Sequence, residues 1–139
     1  MPSPHARNLD AADRHFVHQH AEDLSRTTVA YARWIHSADE APDHGGQTLA
    51  TRNHDVIRRW AQARQATPAT VENGSGRPRV LRFDFAPDED QGGSLKPISW
   101  DDWLGVFDDR ELVFLCQETR ADGHQSNFFQ LDSPRRNDG

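Results

Sequence analysis

A small α+β domain is predicted, with a four-stranded, mainly antiparallel sheet and two helices on one face, in αββ-αββ order. Three observations predict it. Apolar residues at helical spacing follow a capping residue twice, at Asn53 and at Ser99, and these caps stand 46 positions apart. After each helical stretch come two short runs with strand character. Turn residues separate the runs. Few residues are identical between the halves, so the repeat is one of pattern.

The first helix starts near Asn53. Asp55 suits the positive end of its dipole and Arg64 the negative end. Ile57, Trp60, Ala61 and Arg64 share one face, and Pro68 forces an end by about Ala66. A short strand is expected over Ala69–Glu72, then the turn-rich Asn73-Gly74-Ser75-Gly76-Arg77-Pro78. In Val80–Phe85, Leu81, Phe83 and Phe85 alternate with Arg82 and Asp84, the pattern of a strand with one buried and one wet face. Pro87–Gly93 reads as an acidic loop.

Ser99 with Asp102 three residues later has the form of a capping box, and Trp100, Trp103, Val106 and Phe107 supply the apolar face of the second helix. Leu112–Cys116 is apolar throughout and fits a central strand, while Asn127–Leu131 reads as the last strand. Trp60, Phe83, Trp103 and Phe114 are expected to be buried together. The compact domain is thus placed at residues 53–132, with a frayed tail at 133–139. Residues 1–52 are expected to form an N-terminal extension and connector, partly helical or disordered, because Ala12, Phe16, Tyr31, Trp34 and Ile35 are too sparse to make a continuous stripe.

Size and composition set bounds. The 139 residues suit one domain, but only 35% are hydrophobic and mean hydropathy is −0.89, so part of the chain is expected to lie outside the packed core. A lone cysteine, Cys116, cannot form an internal disulfide, and its apolar neighbours mark it as buried. Neither a membrane span nor a secretory signal is legible, so the expectation is a soluble, cytoplasmic protein.

Charge is divided along the chain. Residues 52–82 hold seven arginines against two acids, a net of +5, and residues 84–111 hold nine acids against Lys96 and Arg110, a net of −7. The overall charge of −6 argues against a protein that coats nucleic acid by bulk attraction. A local basic face made of Arg58, Arg59, Arg77, Arg79 and Arg82 is nevertheless the candidate binding site. It could meet phosphates, a protein partner or another copy of the chain, and the bland alternative is that these arginines pair with the acidic half.

Other constellations carry less. His15 and His18 share a helical face that His20 leaves, and His44 and His124 lie far off in sequence, so no metal site is expected. Gly74-Ser75-Gly76 precedes a strand and lacks the third glycine and following helix of a phosphate loop. Asp88-Glu89-Asp90, Asp101-Asp102 and Asp108-Asp109 read as solvated acids, and no nucleophile elbow, Walker motif or His-Glu-x-x-His is present. No catalytic residue and no cofactor are assigned. The expectation is a non-catalytic binding or adaptor module, with a nucleic-acid-binding domain as the alternative.

Residues 46–54, the helix Ile57–Arg64, Pro68–Val71, Leu81–Phe85, Ile98-Ser99-Trp100-Asp101-Asp102-Trp103 and Leu112–Gln117 together resemble a family of small uncharacterised bacterial proteins. The resemblance covers about residues 46–132, and its most distinctive part is Ile-Ser-Trp-Asp. Some members carry the label 1,4-alpha-glucan branching enzyme. A branching enzyme is built on a barrel of about 250 residues, longer than this 139-residue chain. The resemblance therefore carries no site residue onto these positions.

Overall fold

The polypeptide forms two units built on short strands, with two of its helices capped by the residues just before them, Asn53 and Ser99. The structure, a computed structural model, describes residues 11–71, 80–85 and 95–134. One unit is built from residues up to Ile57 together with those from Glu111 onward, and the other is Arg58–Arg110. The Gly74-Ser75-Gly76 turn, the Pro87–Gly93 loop and the tail from residue 135 lie outside the described residues.

The first unit begins with helix α1 (Ala11–His20), a five-residue π-helical turn (Thr27–Tyr31) and the short strand β1 (Arg33–Trp34). It continues with β2 (Leu49–Thr51) and, after the second unit, β6 (Val113–Cys116) and β7 (Phe129–Asp132). These strands form one sheet in the order β1-β2-β6-β7, in which β1 and β2 run parallel and the other pairs antiparallel. All four residues of β6 are buried, as its unbroken apolar run requires of an interior strand. Register places Ala50 opposite Leu115 and Trp34 opposite Ala50. That face, with Val113, joins Val17, Leu24 and Ala32 in one apolar cluster. Cys116 is buried in β6.

The segment before residue 53 therefore differs from the extension and connector expected of it. It is partly helical, and it also contributes two strands and much of a core: Val17, Ala32, Trp34, Leu49 and Ala50 are fully buried. Three polar ties compensate for its sparse apolar content. The Asp132 carboxylate, in β7, accepts from Ser25 N–H at 2.8 Å and from the Thr28 hydroxyl at 2.6 Å, while Trp34 Nε1 donates to the Thr28 carbonyl at 3.1 Å. The β1–β2 connection has no helix to carry it and is held instead by side-chain and backbone hydrogen bonds. Arg33 donates to the Ala41 carbonyl, Gln47 Oε1 accepts from Asp43 N–H, and Gly46 N–H reaches the Thr119 carbonyl at 2.8 Å. A Cβ on Gly45 would stand 2.8 Å from the Arg120 carbonyl, so glycine is what lets these two backbones meet.

Helix α2 (His54–Ala63) runs from the first unit into the second. The Asn53 side chain caps it, accepting from Val56 N–H at 3.1 Å. It ends in a Schellman turn, Ala66 N–H to the Ala61 carbonyl and Gln65 N–H to the Gln62 carbonyl, with Gln65 in the left-handed region at φ 56°. The strands β3 (Thr67–Val71), β4 (Leu81–Asp84) and β5 (Leu95–Pro97) form a second, antiparallel sheet in the order β4-β3-β5. Helix α3 (Trp100–Asp109) follows, capped by Ser99, whose hydroxyl accepts from Asp102 N–H at 3.0 Å.

The core of the second unit is aromatic. Phe83 stacks on Trp103 at 5.0 Å between centroids and touches Trp60 and Trp100, and Trp103 stacks on Phe107. Arg64, which the sequence places on the apolar face, is buried, with its guanidinium 4.3 Å from the Trp60 ring centre and Nη1 donating to the Trp60 carbonyl. Phe114 is buried in the other unit, stacked on Phe129.

The single four-stranded sheet is thus corrected to two sheets, of four and three strands. The two expected hairpins form, β3 with β4 and β6 with β7, but each belongs to a different sheet, because β2 takes the free side of β6 and brings β1 with it, and because β5, unmarked by alternation, pairs with β3. Two outcomes follow. Trp60→Ala lowers stability by about 3–5 kcal/mol, read from urea denaturation. Gly45→Ala costs about 1–3 kcal/mol, since two backbones must move apart; a Tm equal to wild type would refute the close approach.

Candidate functional site

The charged residues singled out by sequence fall on helix faces and strand sides that the fold now defines. On α2, Arg58 and Arg59 flank the buried positions Trp60, Ala61 and Arg64; Arg58 is half-buried and Arg59 exposed. Asp55 stands three and four residues before them, the spacing at which helix side chains pair. In β4, Phe83 faces Trp60 and Trp103, so strand alternation turns Arg82 to the opposite side of the sheet, where it is exposed. The described arginines of the candidate site therefore do not share one face. Arg77 and Arg79 lie outside the described residues.

The acidic half is more coherent. On α3, Asp101, Asp102, Asp108 and Asp109 are all exposed. Their spacing of three, four and seven about Gly105 puts them on one stripe of the helix, with the glycine at its centre. A Cβ on Gly105 would meet nothing within 4 Å. Asp101 and Asp102 lie in the first turn, where a helix favours anions, and Asp102 N–H is held by the Ser99 cap. Asp108 and Asp109 lie in the last turn, where the dipole disfavours them. Expected from sequence only as solvated acids, these residues are tied together by Gly105, whose three- and four-residue spacing to both acidic pairs is the signal for the stripe.

The edges of the adjoining sheet are closed to strand addition by ordinary means. Trp103 Nε1 donates to the Arg82 carbonyl at 3.0 Å and covers part of the β4 edge, and β5 carries Lys96 and Pro97, both exposed. Strand pairing with a partner is therefore a poorer use of this unit than side-chain docking.

In the first unit the histidines separate. His15 and His18 are exposed on α1, while His20 lies with Nε2 at 3.3 Å from Glu111 Oε2, and His36 Nδ1 stands 2.8 Å from Asp13 Oδ2. Among the described residues no group of three or more His, Cys, Asp or Glu side chains is arranged to hold a metal ion. Between β6 and β7, Asp122 accepts from the His124 backbone N–H at 3.0 Å and lies near the His124 ring and Arg120. The His124 hydrogen bond, with help from Arg120, holds the Asp122 carboxyl below its ordinary value of 3.8.

Among the described residues no helix is long and apolar enough to cross a membrane. Comparison with family models, with curated proteins and with solved structures finds no match for this chain.

One titration follows. The folded carboxyl ionises more readily than the unfolded one, so its small contribution to stability is present above the unfolded value and is lost as pH falls through the folded value. Carboxyl NMR should find Asp122 titrating below free aspartate, and His124→Gly, which removes the ring while keeping the backbone N–H, should return only part of that shift.

Proposed function

We propose that the protein is a non-catalytic binding or adaptor module, and that the acidic stripe of α3 is where it meets a cationic protein segment, on another protein or on a second copy of the chain. The observation that carries this reading is that the stripe breaks two helix rules at one place. Gly105 at mid-helix lowers helix stability by roughly 0.5–1 kcal/mol relative to alanine, and no neighbouring atom within 4 Å of a Cβ there requires the smaller residue. Asp108 and Asp109 oppose the helix dipole. A helix that departs from local rules in this way is expected where a protein meets something else. A glycine between four carboxylates lets a partner backbone or guanidinium approach the helix closely, and the carboxylates supply attraction that steers arginine or lysine side chains to it.

Nucleic acid is the less supported partner. Arg58 and Arg59 stand on a helix that also presents Asp55, and Arg82 turns to the other side of the sheet, so the described basic residues offer no continuous track for phosphates.

An arginine-rich peptide titrated into the protein at low salt serves as the probe, with sedimentation velocity reporting self-association in parallel. Binding by either route should weaken at least tenfold, roughly, in the variant carrying Asp101→Asn, Asp102→Asn, Asp108→Asn and Asp109→Asn, and should fall with added salt. Gly105→Ala should raise stability by roughly 0.5–1 kcal/mol while weakening the same binding, an opposition that a merely solvated helix face would not give. No association at low salt in both assays, or retention of nucleic acid in a gel shift with the arginine variants abolishing it, overturns the reading.

A further inference from the structure

Helix α1 is fastened differently from every other element of the first unit. Val17 is its one buried residue, and an isolated ten-residue helix is marginal in water. The rest of its inner stripe is charged or aromatic. Asp13 Oδ2 meets His36 Nδ1 at 2.8 Å, the Arg52 guanidinium lies 4.3 Å from the Phe16 ring centre, and His20 Nε2 lies 3.3 Å from Glu111 Oε2. The Phe16 and His20 rings also touch, at 4.7 Å.

Two of these partners, His36 and Arg52, are held by contacts that do not involve α1. His36 donates its backbone N–H to Glu40 Oε2 at 2.6 Å and accepts from Asn53 Nδ2 at 2.8 Å, and Arg52 Nε donates to the Leu112 carbonyl at 3.0 Å. Just past the helix, residues 21–24 form a turn closed by Asp23 and Leu24 N–H on the His20 carbonyl. Immediately beyond that turn the chain is anchored again, by Ser25 and Thr28 on Asp132.

We propose that α1 is a strap that opens about the turn at residues 21–24 while the rest of the first unit stays folded, uncovering the apolar seat made by Trp34, Ala50, Val113 and Leu115. The seat is preformed, the hinge is a turn between a weak fastening and a strong one, and the weak side rests on polar and cation–π contacts with one buried apolar residue. Partial opening of this kind draws on elements with little buried apolar area.

Native-state amide hydrogen exchange on the whole chain, begun at low salt, tests this. Replacing Asp13→Asn and Glu111→Gln together removes both acids without changing side-chain size. The amides of the second half of α1 should lose about tenfold protection while those of β6 keep theirs. The same selective loss should appear in the wild-type protein as salt is raised to about 1 M, a measurement that needs no variant. If α1 and β6 lose protection together, or if neither salt nor the substitutions change α1, the strap is refuted.

Discussion

The Asp132 carboxylate is the point on which the first unit closes. It is buried, and it satisfies one backbone N–H and one hydroxyl contributed by residues 107 and 104 positions earlier in the chain. A buried carboxylate is costly unless it is well supplied with donors, and here the donors are Thr28, in the π-helical turn, and Ser25, just before it. Through Thr28 the same node reaches the Trp34 indole, and Trp34 sits in the apolar cluster over Ala50 and Leu115. The position of β1, the ordering of the N-terminal third and the burial of β6 all depend on this polar contact being made. Apolar area alone would not hold this segment, since its apolar residues are few.

The second unit rests on a different constraint, the need to bury tryptophan. Trp103 stacks on Phe83 and Phe107 and spends its only polar atom on the Arg82 carbonyl, so one side chain fills the core and covers part of a strand edge. Trp60 receives the Arg64 guanidinium on its ring and accepts from it at its own carbonyl, which brings a cation inside against the indole. Exposed charges of this unit lie away from the core on both helices and strands, the α3 aspartates on a helix and Arg82 and Lys96 on strands.

What could be read in advance was local. Asn53 and Ser99 cap as their residue types demand, the β6 run is interior, and Phe83 and Arg82 alternate as written. What could not be read was long-range. Residues 36–52 look like a connector because β2 is only three residues long and its partner β6 arrives more than 60 positions later, while β1, two residues long, pairs with β2 alone. Nothing local marks Ser25 and Thr28 as ligands of Asp132. The left-handed ends of both helices, at Gln65 and Glu111, were also hidden, since glycine is the residue that usually announces them. Of the candidate site, the arginine positions were legible but the strand side on which Arg82 falls separates it from Phe83's helices, whereas the acidic stripe needed only helical spacing and attention to one glycine.

The first unit is discontinuous, interrupted by Arg58–Arg110, and this has a kinetic consequence. Strands β3, β4 and β5 and helix α3 can find one another within a contiguous stretch, at modest loop-closure entropy. Strands β1 and β2 must wait for β6 and β7. During synthesis the apolar residues Trp34, Leu49 and Ala50 emerge long before Val113, Leu115 and Asp132 exist to cover them. Non-local pairing of this kind slows folding, so the last event in maturation is the joining of the chain's early strands to its late ones.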